Sequence, residues 1–450
     1  MESLTSKKGR QVINLQLTVS TDKIQEAFGV SLYRNAVFLM ANLVISGIAS
    51  FVFLIVAAQK YSEADIGFAS AAISLAMLLS LCASLGLNFG IMRFLSSAGE
   101  QGKDMINSAF TLQAIVCIGI SLAFLVGLSF WPTSTNLDFL LGDSLYAITF
   151  ITFTTTFASH NLAIQVFVAE RSAGYALAQG IVFAILRFIP LIYVQLSSNA
   201  ISIFFAWGIG SAVAVAIALL MFLPRIRIDY YLLPTLHWQV IRNIIRYAFS
   251  NYLVEALWTS PNFILPVIVL SMLGPESNGF FYIGWAIGSM LFMIPMATSA
   301  SLLAESSHEE ENLTPNIGKS LKLLAIMLTP AIIIVCLLGD KILLLIGDTY
   351  SENAAMLLRI LAISTIPVSL NYIYFGVRRV EKSMNGILVL AAFVLVATLI
   401  LSYILMSMPE FGILGGGLAW LISQTIAAIF TSVALFRRRP QRRLGISMGQ

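Results

Sequence analysis

Long apolar runs, each about as long as a membrane-crossing helix, recur along the whole chain between short polar turns. The first six are Ala36–Ala58, Ile66–Leu87, Ser108–Phe130, Tyr146–Phe167, Tyr175–Leu196 and Ile201–Phe222. The other six are Ala248–Leu273, Phe280–Leu303, Leu321–Ile346, Ala354–Gly376, Ile387–Met406 and Phe411–Leu435. Hydrocarbon offers backbone N–H and C=O groups no partner, so such runs close their hydrogen bonds internally as helices. A crossing takes roughly 20 apolar residues. About twelve crossings nearly exhaust the 450 residues, which predicts an all-α, polytopic membrane protein without a sizeable soluble domain. Composition agrees: charged residues are 11% and hydrophobic ones 58%, against roughly 25% and 45–50% in soluble domains.

The polar turns differ by side. With this span count the N-terminus, the even-numbered loops and the C-terminus share one face of the membrane. That face carries Arg34, Arg93, Lys103, Arg171, Arg225, Arg227, Arg242, Arg246, Lys319, Lys322, Arg378, Arg379, Lys382 and both basic termini. The opposite face offers Lys60 and Lys341. The positive-inside rule then places both termini in the cytoplasm. The net charge of +4 is thereby topological and gives no argument for nucleic-acid binding, which needs a basic stripe on one soluble face. The first 35 residues are too polar for a cleavable signal peptide. Cys82, Cys117 and Cys336 all fall inside spans, so neither a disulfide nor a zinc cluster is expected. A glycosylation sequon at Asn312 lies on the expected cytoplasmic side and is discounted.

The chain repeats itself. Arg34 and Arg246 precede the first and seventh spans, Gly67 and Gly279 open the second and eighth, and Arg93 and Glu305 close them. Each pair is separated by 212 residues. Both halves hold an even number of spans and start on one side, so the repeat is parallel, with its axis along the membrane normal and a substrate path between the halves. The expected domains are a cytoplasmic segment 1–35, a six-helix bundle 36–223, an interfacial linker 224–247, a second six-helix bundle 248–436 and a basic tail 437–450. In the linker, Tyr230, Tyr231 and Trp238 alternate with arginines, which suits a helix in the headgroup plane that tethers the halves.

Segments 61–97, 273–309, 357–383 and 411–424, the last reading FGILGGGLAWLISQ, carry a family resemblance. Together they resemble the Wzx-like, polysaccharide-biosynthesis branch of the multidrug/oligosaccharidyl-lipid/polysaccharide exporter superfamily. The resemblance covers most of the chain through diffuse motifs, none of them catalytic. It implies two six-helix bundles around a central cavity, alternating access, and transfer of a polyprenyl-linked oligosaccharide from the cytoplasmic to the outer leaflet of a prokaryotic plasma membrane. Membrane lipids, a polysaccharide polymerase and glycosyltransferases are the partners expected beside that glycan. The superfamily's lipid II flippases usually carry two further helices, which are not found here, and its drug exporters often place an acid in the first helix, where Ala36–Ala58 has none.

Ionisable residues at membrane depth are costly unless they face a bundle interior or water. Arg187 sits near the middle of span five, just before Pro190. Its guanidinium suits a phosphate or sugar carboxylate, or else a packing partner or an interface. Arg359, two turns into span ten, lines a cavity or anchors at the headgroups. Arg34 and Arg93, at cytoplasmic ends, are anchors or a docking point for a pyrophosphate headgroup. Glu255 is the one acid well inside a span, and with Asn251, Thr259 and Asn262 it forms a stripe along helix seven. Asn42 begins a weaker stripe with Ser46 and Ser50 on span one. The two stripes suit a shared cavity. Glu255 is read as a partner for Arg187, a contact for sugar hydroxyls, a proton carrier, or an interhelical hydrogen bond. Gly284 and Gly288 suggest a packing face, while Trp258, Tyr282 and Trp285 offer either sugar stacking or plain packing.

Enzyme chemistry finds no support. His160, His237 and His308 are far apart, and no catalytic triad or metal-binding helix spacing exists. No catalytic residue, metal or cofactor is expected. With no phosphate-binding loop, energy must come from an ion gradient, the membrane potential or mass action. Besides the flippase reading, an ion-coupled exporter of drugs or small molecules, or a non-transporting scaffold for polysaccharide assembly, remains open.

Overall fold

The computed structural model describes residues 31–130, 137–193, 199–228, 230–306 and 313–437. The segment before residue 31, the tail beyond 437, His308 with its glutamates, and Asn312 lie outside the described residues. Within them the regular structure is helical and contains no strand. In order run α1 (Ser31–Lys60), α2 (Glu63–Ala83), α3 (Leu87–Phe94), α4 (Gly102–Phe130), α5 (Ser144–Ala169), α6 (Ala173–Leu186), α7 (Phe188–Tyr193) and α8 (Asn199–Ile217). There follow α9 (Leu223–Ile226), α10 (Trp238–Leu273), α11 (Pro275–Met290), α12 (Met293–Ser306), α13 (Leu313–Leu344), α14 (Asp348–Val380), α15 (Met384–Met406) and α16 (Leu414–Phe436).

Among the described residues, 11 helical stretches are long and apolar enough to cross a membrane. The expected fourth span is also a helix, the 26-residue α5, but Thr154, Thr155, Thr156, Ser159 and His160 make its middle polar. Local chemistry sets the ends. Asp143, in an extended conformation, accepts a 2.9 Å bond from the Leu145 N–H and caps α5. Gly274, at φ 88°, turns the chain so that Pro275 opens α11, where its missing N–H costs nothing.

Three crossings are broken. Span two divides between α2 and α3 at Leu85 and Gly86, both at positive φ. Span five divides at Arg187, and span eight at Leu291 and Phe292. Each break reuses nearby carbonyls: Leu87 N–H donates to Ser84 O at 2.7 Å, and Phe292 N–H to Ser289 O at 3.0 Å. Such local closure lets a broken helix persist at membrane depth. Large apolar side chains meanwhile point outward, with Ile48 60%, Leu337 70% and Val389 69% exposed. A surface of that kind needs lipid to cover it.

The chain divides into two compact units. The first comprises Met1–Phe53, Leu79–Ser129 and Leu140–Phe249, and the second Leu54–Leu78, Phe130–Phe139 and Ser250–Gln450. Leu87, Ile91, Ile106, Leu162 and Ile244 centre the core of the first. Phe281, Trp285, Leu357, Leu361 and Trp420 centre that of the second. In the linker the expected interfacial helix is not formed: residues 230–237 have no regular secondary structure, and the helix resumes at Trp238. Pro234 lacks an N–H and disfavours helical geometry at Leu233. The linker's backbone groups are met by α4 instead, where Asn107 Nδ2 donates to Tyr231 O at 3.1 Å and Ser108 Oγ accepts from His237 N at 3.0 Å.

Candidate functional site

Helices α10 and α14 bring together the strongest polar constellation of the second unit. The residues Val254, Trp258, Leu265 and Val269 pack α10 into the core, which turns Glu255, one step around the helix, to an exposed position. Opposite, α14 presents Tyr372 and Arg379 two turns apart. The indole N–H of Trp258 donates to the Tyr372 hydroxyl at 3.0 Å and fixes the two helices face to face. The Arg379 guanidinium, also exposed, acts electrostatically on both Glu255 and Tyr372. An acid and a base exposed within crossing helices need water beside them, because lipid would not solvate them.

An aromatic floor lies behind this face. The Trp258 ring stands edge-on to Phe375 at 4.6 Å and to Tyr372 at 5.4 Å, and Trp420 meets Trp285 at 5.6 Å. The polar stripe continues below it. Asn262 Oδ1 accepts from Trp285 Nε1 at 3.2 Å, and its Nδ2 donates to the Thr259 carbonyl at 3.2 Å. Asn262 therefore fastens α11 to α10, while Asn251 and Thr259 are half-buried on the same helix. Gly284 and Gly288 face Leu357 and Leu361 of α14, a packing contact.

Arg187 belongs to the first unit. It is 3% exposed, at the break between α6 and α7. Its guanidinium lies over Phe53 at 5.1 Å, Phe183 at 5.1 Å and Phe188 at 5.9 Å, and Nη2 donates to Ser50 Oγ at 3.3 Å. Gly210 of α8 admits this bend, since a Cβ there would lie 3.0 Å from Arg187 Cβ. Its partners thus include three rings and a hydroxyl from its own unit. Asn42 packs directly against Gly180 of α6.

Arg359 donates from Nε to the Cys336 carbonyl at 3.0 Å and stands 3.7 Å from Asp340, clamping α14 to α13. Arg34 and Arg93 are exposed. Sequence reasoning counted Arg379 only among the cytoplasmic cations and missed Tyr372. The available signal was their seven-residue spacing, two helical turns, on a helix that runs on to Val380.

No family model matches the chain, and no curated protein matches it. Solved structures do share its fold. One is the lipid II flippase MurJ in an inward closed conformation, at TM-score 0.72 and 12% identity over 89% of this chain and 87% of that one. Another is an inward-facing multidrug resistance MATE family transporter of the MOP superfamily, at TM-score 0.67 and 14% identity over 88% and 96%. An outward-facing member of that family gives 0.58 and 16% over 90% and 94%. The chain thus shares its fold with these transporters and this flippase.

Proposed function

We propose that this protein is a flippase that moves a polyprenyl-linked oligosaccharide from the cytoplasmic to the outer leaflet of a prokaryotic plasma membrane by alternating access. The observation that carries the reading is the Glu255–Arg379–Tyr372 face above the Trp258 floor. A guanidinium binds phosphate oxygens, a carboxylate and a phenol bind sugar hydroxyls, and indole and phenol rings stack on sugar faces. That mixture suits an anionic, hydroxyl-rich headgroup better than a hydrophobic cation. The arginine asymmetry supports cytoplasmic termini, and bundles 36–223 and 248–436 are the bodies proposed to rock. Polysaccharide polymerase and glycosyltransferases are the enzymes whose substrate and product such a step would link.

The test is leaflet transfer of a short fluorescent polyprenyl-pyrophosphate glycan in proteoliposomes, with wild type beside Arg379→Met and Glu255→Gln. Transfer by wild type that falls in both variants supports the reading. Efflux of hydrophobic cations with no glycan transfer overturns it in favour of drug export. Activity in neither assay by well-folded protein points to a scaffold.

A further inference from the structure

The starts of α2 and α11 meet in a way that carries the sequence repeat into space. A Cβ built on Gly67 would collide with the carbonyl of Pro275, and one built on Gly279 with the carbonyl of Glu63. Glu63 and Pro275 open their helices and stand 212 residues apart, as do Gly67 and Gly279. The first residue of each helix therefore touches the fifth of the other. Contacts that exchange in this way are the mark of a local two-fold axis and a self-complementary interface. All four residues belong to the second compact unit. Backbone lies on backbone there, so neither glycine position has room for a side chain.

One polar contact breaks the symmetry. Asn278 is fully buried, and its Nδ2 donates to the Gly67 carbonyl at 2.7 Å and to Ser70 Oγ at 3.2 Å. The repeat counterpart of Asn278 is Ile66, which has no amide to return the bond. On α14, Thr349 Oγ1 donates to Glu63 Oε1 at 2.7 Å and holds the start of α2 in place.

We infer that this crossing is a closable seam on the transport path: Gly67 and Gly279 let it shut, and Asn278 latches it. The inference rests on the transporter reading above. Gly284 and Gly288 pack helices of one repeat half, whereas the seam joins equivalent helix ends of opposite halves, where a rocking motion would part them. A side chain at either glycine blocks the shut state and leaves the open state untouched, so the population moves toward open. Loss of the Asn278 amide removes two bonds made across the seam and moves it the same way. The seam lies at the end that the arginine asymmetry assigns to the outside.

Ser70 supplies a reporter, because it is 2% exposed and touches the latch. Ser70→Cys is placed in a protein with Cys82, Cys117 and Cys336 changed to Ala, reconstituted in vesicles, and alkylated with a membrane-impermeant maleimide. Adding Gly67→Ala or Gly279→Ala is expected to raise the labelling rate about tenfold, and Asn278→Leu by a smaller factor. Gly119→Ala, where a Cβ meets open space, is expected to leave it unchanged. Unchanged labelling in a folded Gly279→Ala protein overturns the seam. So does an equal rise at Ala176→Cys, a fully buried position on α6, since that reports general unfolding. Glycan transfer by the same vesicles is read separately, so failure of the flippase reading is distinct from failure of the seam.

Discussion

Trp258 donates its indole N–H to the Tyr372 hydroxyl at 3.0 Å, and this bond joins α10 to α14 beside the exposed Glu255. The ring of Tyr372 also stands 6.0 Å from Phe375 in an edge-on arrangement. Tyr372→Phe keeps that ring packing but strands the indole donor among aromatic neighbours. An unsatisfied buried donor costs about 1–3 kcal/mol. The expected outcome is a lower melting temperature in detergent, together with slower glycan transfer. Trp258→Phe added to Tyr372→Phe removes the stranded donor, so the double variant is expected to lose less stability than the two single losses combined. Strict additivity would show that the bond does not couple the helices.

Arg187 is expected to act through packing. Its guanidinium lies over three phenylalanine rings and reaches Ser50. A planar, delocalised cation stacks on ring faces, whereas an ammonium is compact and strongly hydrated. Desolvated cation–π contacts contribute about 2 kcal/mol. Arg187→Lys should therefore lower the melting temperature nearly as much as Arg187→Met, despite keeping the charge. Full thermal stability in Arg187→Lys would show that charge alone matters at this position.

Much of the fold was legible because crossing a bilayer imposes one rule everywhere: an apolar run of fixed length becomes a helix. The repeat was legible too, since Gly67 and Gly279 open equivalent helices at one offset, and the structure sets both into reciprocal contacts. Hydropathy says less about direction within a helix. Arg187 and Glu255 are both charges within spans, yet one is buried among rings and the other exposed. That difference depends on Phe53, 134 residues before Arg187, and on Tyr372, 117 residues after Glu255, which no local pattern connects. In the linker, aromatic and basic alternation fits an interfacial helix, while Pro234 and the side chains of Asn107 and Ser108 favour the irregular path of residues 230–237.

The Glu255–Arg379 relationship is testable by exchange of charge. The Arg379 cation on α14 acts electrostatically on Glu255 of α10. Glu255→Gln leaves the Arg379 cation without its counter-charge, and Arg379→Met does the reverse to the acid. Each single change is expected to cut the initial rate of transfer about tenfold, a barrier change of about 1.4 kcal/mol. The exchanged pair, Glu255→Arg with Arg379→Glu, is expected to recover part of that loss, because coupled sites deviate from additivity. Loss in the exchanged pair equal to the product of the singles would mean that the two groups act independently on the substrate.

A buried polar knot between α14 and α16 makes a sharper demand on stability. Asn371 Nδ2 donates to Gln424 Oε1 at 2.7 Å and to the Gln424 carbonyl at 3.1 Å, while Thr431 Oγ1 donates to Asn371 Oδ1 at 3.0 Å. Asn371 and Gln424 are wholly buried, and Gln424 Nε2 has no hydrogen-bond partner. The knot thus leaves one amide nitrogen without a partner before any change is made. Asn371→Leu strands the Gln424 oxygen as well, at a cost of about 1–3 kcal/mol, while the Thr431 hydroxyl keeps the Ala428 carbonyl at 3.1 Å. Replacing both partners by apolar groups of similar shape is far less costly, because no buried polar atom is then left alone. The expected order of melting temperatures is wild type, then Asn371→Leu with Gln424→Leu, then Asn371→Leu alone. A double variant less stable than the single one would show that the knot stabilises the helices through its bonds and not merely by being satisfied.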